Sequence, residues 1–320
     1  MKAVQFAEHG ESDVLTFVEL PTPQPQAGEV LIKVAAAGVN YADVLQRKGT
    51  YPVPVTLPFV AGYEVAGVVE ALGDGVTNLQ PGQRVMAMIP NGGYAEYAIA
   101  QAAQAIPLPS ELGDAEATAL LVQGMTAVGL LRTGNYDSVL VLAASGGVGS
   151  VLVQLAKSQG KRVIAAVGSD AKKAQALAFG ADAAVSYRNA DRADADWVQQ
   201  VRDATDGQGV SASFDAVGGA VGVGALQTLG AGGTGVIYGA ASGQPTMLAG
   251  QQLIGQGQSV RGYTLFADVT KFGEYAGELF SLLQAGKLKL PVQTYPVADV
   301  RTAQQDMESR RTQGKVALIF

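Results

Sequence analysis

The chain has no cysteine and a single histidine among its 320 residues, and these two scarcities narrow its chemistry sharply. Without cysteine there is no disulfide, no thiol nucleophile and no thiolate-bound metal. The only imidazole, His9, lies in the segment AEHGES, whose composition reads as a surface turn. A zinc centre needs three or four side-chain ligands and a Ser-His-Asp hydrolase needs a placed histidine, so neither is expected. Charge is also sparse. The net charge is −6 with no basic run, which argues against nucleic acid as a partner. No apolar run is long enough to cross a membrane, and the N-terminal MKAVQF carries no signal-peptide pattern, so a cytoplasmic protein without a membrane partner is expected. Whatever chemistry the chain performs must come from an organic cofactor.

What is abundant is apolar surface and glycine. The length allows two domains or one large one, hydrophobic residues make up 48% of the chain, enough for sizeable cores, and the 41 glycines suit tight α/β turns rather than disorder. Residues 1 to about 110 read as mostly β: LIKVAAAGV, AGVVEAL, QRVMAMI and YAEYAIA are short β-branched or aromatic runs punctuated by Gly and Pro. Residues 113–133 turn helical. From Ser138 onward, strands are expected at 138–144, 162–167, 183–187, 212–216, 234–238 and 259–263. Helices are expected near 148–159, 170–179, 194–205, 219–229 and 246–255. Six strands joined by crossovers predict a doubly wound parallel sheet, an α/β fold. Two more helices follow, over 268–286 and 300–311. The last strand, residues 316–320, needs a sheet to join, and the N-terminal β region supplies one. The expected organisation is therefore a discontinuous domain of residues 1–120 and 265–320, with a nucleotide domain of residues 121–264 inserted.

The stretch SVLVLAASGGVGSVLVQLAKSQG, residues 138–160, organises the rest. A buried apolar strand runs into a glycine turn and then into an amphipathic helix that stops at Gly160. Backbone N–H groups and the positive end of a helix converge there, as a phosphate requires. The spacing Ala144-x-Gly146-x-x-Gly149 is the dinucleotide fingerprint with its first glycine replaced by alanine. Alone, such a turn also fits an ordinary βα connection; the strand–helix rhythm after it selects the nucleotide reading. At the end of the second strand an NAD site would carry Asp or Glu. Gly168-Ser169 stands there instead, followed by Asp170, Lys172 and Lys173. A small hydroxyl with nearby cations suits a 2′-phosphate, so NADPH is the expected cofactor. Asp170 keeps NADH open, and Ser169 could equally cap a helix whose solvated face carries the lysines.

Several separated segments resemble, in order, the zinc-free, zeta-crystallin-like quinone oxidoreductases of the medium-chain dehydrogenase/reductase superfamily. They are GVNYAD (38–43), GYEVAG (62–67), PGQRV (81–85), GGYAEY (92–97), AASGGVG (143–149), FDAVG (214–218) and the terminal Gly314-Lys315. The resemblance implies a GroES-like catalytic domain around a Rossmann-type domain. Zinc-dependent relatives place a ligand Cys at the position of Asn40, a ligand His at Tyr63 and a second Cys near Gln123; none of these residue types is here. The four-cysteine zinc lobe is missing as well. By the resemblance, Asn40 and Tyr41 lie beside the nicotinamide, and Tyr51 lines the substrate cleft, with Asn40 and Tyr51 the catalytic candidates. Thr126, Gly146, Gly147, Val148, Gly149, Ser169, Lys172, Tyr187, Ser242 and Arg310 complete the cofactor set. Asn40 can also be read as a turn residue, Tyr51 as packing, Arg310 as a solvated helix end, and Asp43 and Glu64 as structural carboxylates. The implied activity is zinc-independent reduction of a quinone or similar conjugated carbonyl by NADPH, in a homodimer. Reduction of an enone, enal or enoyl-thioester double bond, and a non-catalytic NADPH-binding role, are the alternatives.

Overall fold

The structure is a computed structural model that describes residues 1–187 and 196–320. The first two residues of the helix expected at 194–205 lie outside the described residues. The backbone divides into two units, residues 1–123 with 290–320, and residues 124–289.

The second unit is built on one six-stranded sheet. Its order is Ala183–Ser186, Arg162–Val167, Ser138–Leu142, Val210–Asp215, Leu229–Ile237 and Ser259–Gly262, with every neighbouring pair parallel. Numbered within the sheet this is 3-2-1-4-5-6, the doubly wound arrangement whose ligands lie at the carboxyl ends where the order reverses. The Ser138–Leu142 strand is central, and Val139, Leu140, Val141 and Leu142 are all fully buried. A strand covered on both faces must be apolar throughout, which is why no alternation shows in its sequence. The Gly147–Ser158 helix follows it and buries Val151, Leu152, Leu155 and Ala156.

Departures from the expected elements have local causes. The fifth strand begins at Leu229, earlier than expected: Leu229 pairs with Val210, and the ladder resumes at Thr234 after an irregularity that holds the glycines of LGAGG, a stretch that reads as a turn. Only Gln251–Ile254 is helical in the region 246–255. Thr246 there donates to Asp215 Oδ2 at 2.6 Å, which ties this segment to the end of the fourth strand. Residues 265–289, expected with the first domain, group instead with the second unit. The Phe272–Gln284 helix packs on the Met125–Leu131 helix, where Arg132 pairs with Glu274 and Glu278 and lies 4.7 Å over the Tyr275 ring.

The first unit is a mostly antiparallel β body. Its long central strand, Glu29–Val39, pairs with Glu64–Leu72 along most of its length. Its first half also pairs with Tyr97–Gln101, and its second half with the C-terminal Lys315–Ile319. Lys315–Ile319 in turn pairs in parallel with Val292–Pro296. Alternate residues Val30, Ile32 and Val34 face a core shared with Val65, Val69, Val85, Val316 and Leu318. Each such side chain contributes about 1.5–3 kcal/mol on burial, so the C-terminal strand is anchored by packing as well as by its ladder.

Candidate functional site

In the second unit the expected glycine turn forms at the carboxyl end of the central strand. Gly146 is extended and immediately precedes the Gly147–Ser158 helix, and its N–H donates to Ala143 O at 2.8 Å. A twelve-residue helix has no internal acceptor for the N–H groups of its first turn, here Gly147, Val148 and Gly149. These N–H groups and the helix dipole form an anion cradle. A Cβ on Gly149 would stand 2.3 Å from Ala143 O and 2.7 Å from Ala144 Cα, so this glycine is what lets the helix close on the strand. The strained residue of the turn is Ala143, with φ 49°, in the left-handed region that a residue with a Cβ enters at a cost. Ala144, which replaces the first glycine of the fingerprint, is simply buried.

The neighbouring strand ends extend this cradle. Ser169 lies just past the Arg162–Val167 strand and opens a short 3-10 turn, Asp170–Lys172, without a side-chain capping bond. Asp170 pairs with Lys173 at 2.8 Å, while Lys172 is half-buried. Tyr187 packs its ring against Gly168, from which a Cβ would be 3.6 Å away, and makes an edge contact with Trp197. Ser242 sits in the loop after the fifth strand, its N–H on Val217 O at 2.8 Å and its Oγ near Gln244. Asp215 organises this corner by accepting from the N–H groups of Val217 and Gly218 and from Thr246. Its role was not legible beyond a motif match. Thr126 is buried in the Met125–Leu131 helix.

In the first unit, Asn40 and Asp43 begin the short Tyr41–Arg47 helix at the end of the long central strand. Around them lies a buried polar cluster. Asn40 Nδ2 donates to Glu64 Oε1 at 2.7 Å, and Asn40 Oδ1 accepts from Gln123 Nε2 at 2.7 Å and from Lys315 Nζ at 3.1 Å. Lys315 Nζ also donates to Val39 O at 3.2 Å and forms an ion pair with Glu64 Oε1. Glu64 Oε2 accepts from Val122 N–H at 2.9 Å. Val122 and Gln123 belong to a π-helical turn, Leu120–Gly124, that interrupts the helical stretch expected over 113–133. Such wide turns re-aim backbone and side-chain groups, and this one sends a main-chain N–H and a side-chain amide into the same cluster.

A second arm of the cluster runs through Asp43. Its Oδ2 accepts from Asn40 N–H at 2.8 Å and from Tyr94 OH at 2.7 Å. Burial pushes the Asp43 carboxyl up to about 7, against the lowering effects of those two donors and of Lys315. Burial, with the Asp43 charge, raises the phenols of Tyr51, Tyr63 and Tyr94. Burial lowers the Lys315 ammonium from its ordinary value, with Glu64 opposing. Tyr41 and Tyr51 are half-buried at the two ends of the Tyr41–Arg47 helix region. Arg310 is exposed, at φ 58°, just past the Val300–Glu308 helix. Its N–H bonds to Met307 O and that of Arg311 to Asp306 O, which closes the helix end in a left-handed cap.

Sequence reasoning named Asn40 but missed the partners that hold it. In the sequence Lys315 stands out only as part of a terminal motif, Gln123 only as a position lacking a cysteine, and Glu64 as a structural acceptor. The one available signal was the set of buried-type polar residues inside otherwise apolar segments. Among the described residues, no group of three His, Cys, Asp or Glu side chains could hold a metal ion, and no helix is long and apolar enough to cross a membrane.

Comparison with known proteins adds independent findings. Residues 26–110 match the family described as alcohol dehydrogenase GroES-like domain, and residues 147–283 that described as zinc-binding dehydrogenase. A quinone oxidoreductase of Rattus norvegicus is 39% identical over 152 residues, 46% of each chain. The match thus spans about half the length of such curated relatives. Among solved structures, a mycobacterial protein complexed with NADPH superposes with a TM-score of 0.93 at 37% identity, covering all of both chains. The Escherichia coli quinone oxidoreductase complexed with NADPH gives 0.93 at 32% identity, again covering both chains fully. The Pseudomonas syringae pv. tomato quinone oxidoreductase gives 0.91 at 33%, covering all of this chain and 99% of that one.

Proposed function

This chain belongs to the quinone oxidoreductase family of the medium-chain dehydrogenase/reductase superfamily, and we propose that it reduces a quinone or similar conjugated carbonyl with NADPH, independently of zinc. The observation that carries the reading is the donor set around Asn40. It consists of two side-chain amides, a carboxylate and an ammonium, whereas a catalytic zinc site calls for thiolate, imidazole or carboxylate ligands around an open position. With an ammonium already bound by three oxygens there, the cluster does not suit zinc, and no step is assigned to a metal.

The residues of the second unit fit a dinucleotide. Gly146, Gly147, Val148 and Gly149 would hold the pyrophosphate with backbone N–H groups, at a helix start brought against the strand because residue 149 has no side chain. Ser169 and Lys172 would meet the 2′-phosphate, and Tyr187 the adenosine beside Gly168. Ser242 and Thr126 would hold the nicotinamide half. Arg310 would reach the phosphates from the C-terminal segment. NADPH, when bound, supplies the hydride. The chain's own part is to orient the acceptor, exclude water, and place hydrogen-bond donors where charge develops on a carbonyl oxygen. Asn40 and Tyr51 are proposed for that role, with Tyr41 beside the nicotinamide.

Replacing Lys172 by Ala is expected to weaken NADPH binding by about 1.5–3 kcal/mol while leaving NADH nearly unchanged, because a charge-assisted phosphate contact is lost. Fluorescence titration of both cofactors checks this; equal losses would make Lys172 a helix-surface residue only. Reduction of an enone double bond would use the same cleft, with the Tyr51 phenol or a water as proton donor. A relative of that type, the CurK enoyl reductase, superposes at a TM-score of 0.87 and 25% identity. Product analysis separates the two readings: a hydroquinone supports the first, a saturated ketone the second.

A homodimer is part of the proposal. The Ser259–Gly262 strand ends the six-strand order, and Met247, Ile254 and Phe266 nearby in sequence are 70%, 77% and 61% exposed. An open sheet edge and exposed large apolar side chains are both features that proteins ordinarily cover. Light scattering should therefore give twice the chain mass; the monomer mass would remove this part.

A further inference from the structure

The orientation of the Asn40 amide follows from its partners rather than from assumption. Lys315 can only donate and the Glu64 carboxylate can only accept, so Oδ1 must face the ammonium and Nδ2 the carboxylate. Gln123 must then present its Nε2 to Asn40 Oδ1, since the opposite orientation would set two oxygens against each other at 2.7 Å. That arrangement leaves Gln123 Oε1 buried without a hydrogen-bond partner. A buried acceptor left unpaired is costly, and a glutamine held only for packing would have no reason to bear it.

We propose that Gln123 is a positioning residue that donates from the π turn to Asn40 Oδ1 and, with Lys315 and Glu64, locks the Asn40 amide in one orientation. One Nδ2 hydrogen goes to Glu64, and the other is left uncommitted as the donor that Asn40 offers. Three separate parts of the first unit converge to fix it: Glu64 at the start of its strand, Gln123 of the π turn and Lys315 at the start of the C-terminal strand. The inference rests on the reading of Asn40 as a group beside the nicotinamide and reacting carbonyl.

The test uses Gln123→Glu and Gln123→Leu. Glutamate has the size of glutamine but, when ionised, cannot donate to Asn40; once protonated, it can donate again. With NADPH and a naphthoquinone, Q123E should lose kcat on the order of ten- to a hundredfold at pH 8, as misplacement of a reacting contact does, with the KM for NADPH little changed. Relative to wild type at each pH, Q123E should regain activity on acidification to pH 5, whereas the Q123L deficit should not change. The wild-type reference matters because Asp43, Glu64 and Lys315 face the same cluster. In the apo protein, the nitrogen-15 signals of the Asn40 side-chain amide should shift in Q123E at pH 8 and return toward wild type at pH 5. Unchanged Asn40 signals, or a Q123E kcat within twofold of wild type at pH 8, would overturn the proposal. If the wild-type protein oxidises no NADPH with quinones, the functional reading fails while the amide signals still decide the positioning.

Discussion

Replacing Lys315 by Met is expected to destabilise the folded protein by about 3–5 kcal/mol, because it strands the Glu64 carboxylate in the interior. The Lys315 and Glu64 side chains are 1% and 0% exposed, and all three ammonium hydrogens are used, on Val39 O, Asn40 Oδ1 and Glu64 Oε1. Methionine approximates the apolar stem of lysine and removes the ammonium with its bonds. The loss measures the stranded partner and not the net worth of the pair, since two buried charges together can cost as much to desolvate as they return. The pair should therefore behave non-additively. Combining Glu64→Gln with Lys315→Met should recover stability relative to the sum of the single changes by about 0.5–3 kcal/mol, the range for residues in contact. Denaturant unfolding of the four proteins checks this, and simple additivity would mean the two groups do not sense each other.

Stability should also fall as pH rises from about 4 to about 7, through Asp43. Its carboxyl is raised by burial to about 7 in the folded protein, against 3.8 for the free group. Between those values the folded state holds a proton that the unfolded state has released, so the unfolded state gains as pH increases. The contribution is fully present below the unfolded value and lost as pH passes the folded one. A shift of that size corresponds to on the order of 4 kcal/mol across the window. Asp43→Asn removes the titration while an amide oxygen can still accept from Asn40 N–H and Tyr94 OH. The difference in unfolding free energy between wild type and D43N should therefore shrink in wild type's disfavour from pH 4 to pH 7 and then level off. A pH-independent difference would place Asp43 in an ordinary ionised state.

The parts of this protein that were legible in its sequence are those set by local periodicity. The buried run Val139–Leu142, the glycine turn and the amphipathic helix after it are consecutive, so a single pattern reveals strand, cradle and packing face together. The apolar C-terminal strand was legible for the same reason, since its short run needs a sheet. The Asn40 cluster was not. It joins residues 40, 64, 123 and 315, and the Lys315–Glu64 pair spans 251 positions of sequence. No local pattern encodes such a meeting, and a lysine after a glycine near the chain end looks like any solvated residue. The π turn at Leu120–Gly124 was hidden because it lies inside a continuous helical pattern, and only the donors it delivers to Glu64 and Asn40 set it apart. The place of residues 265–289 was missed because it depends on Arg132 and Tyr275, side-chain contacts rather than backbone rhythm.

The most direct test of the account is steady-state oxidation of NADPH by a naphthoquinone with protein exhaustively treated with a chelator. The account predicts turnover to hydroquinone that is unaffected by the chelator and faster with NADPH than with NADH. Absence of turnover, or turnover that disappears on chelation and returns with added zinc, would contradict it.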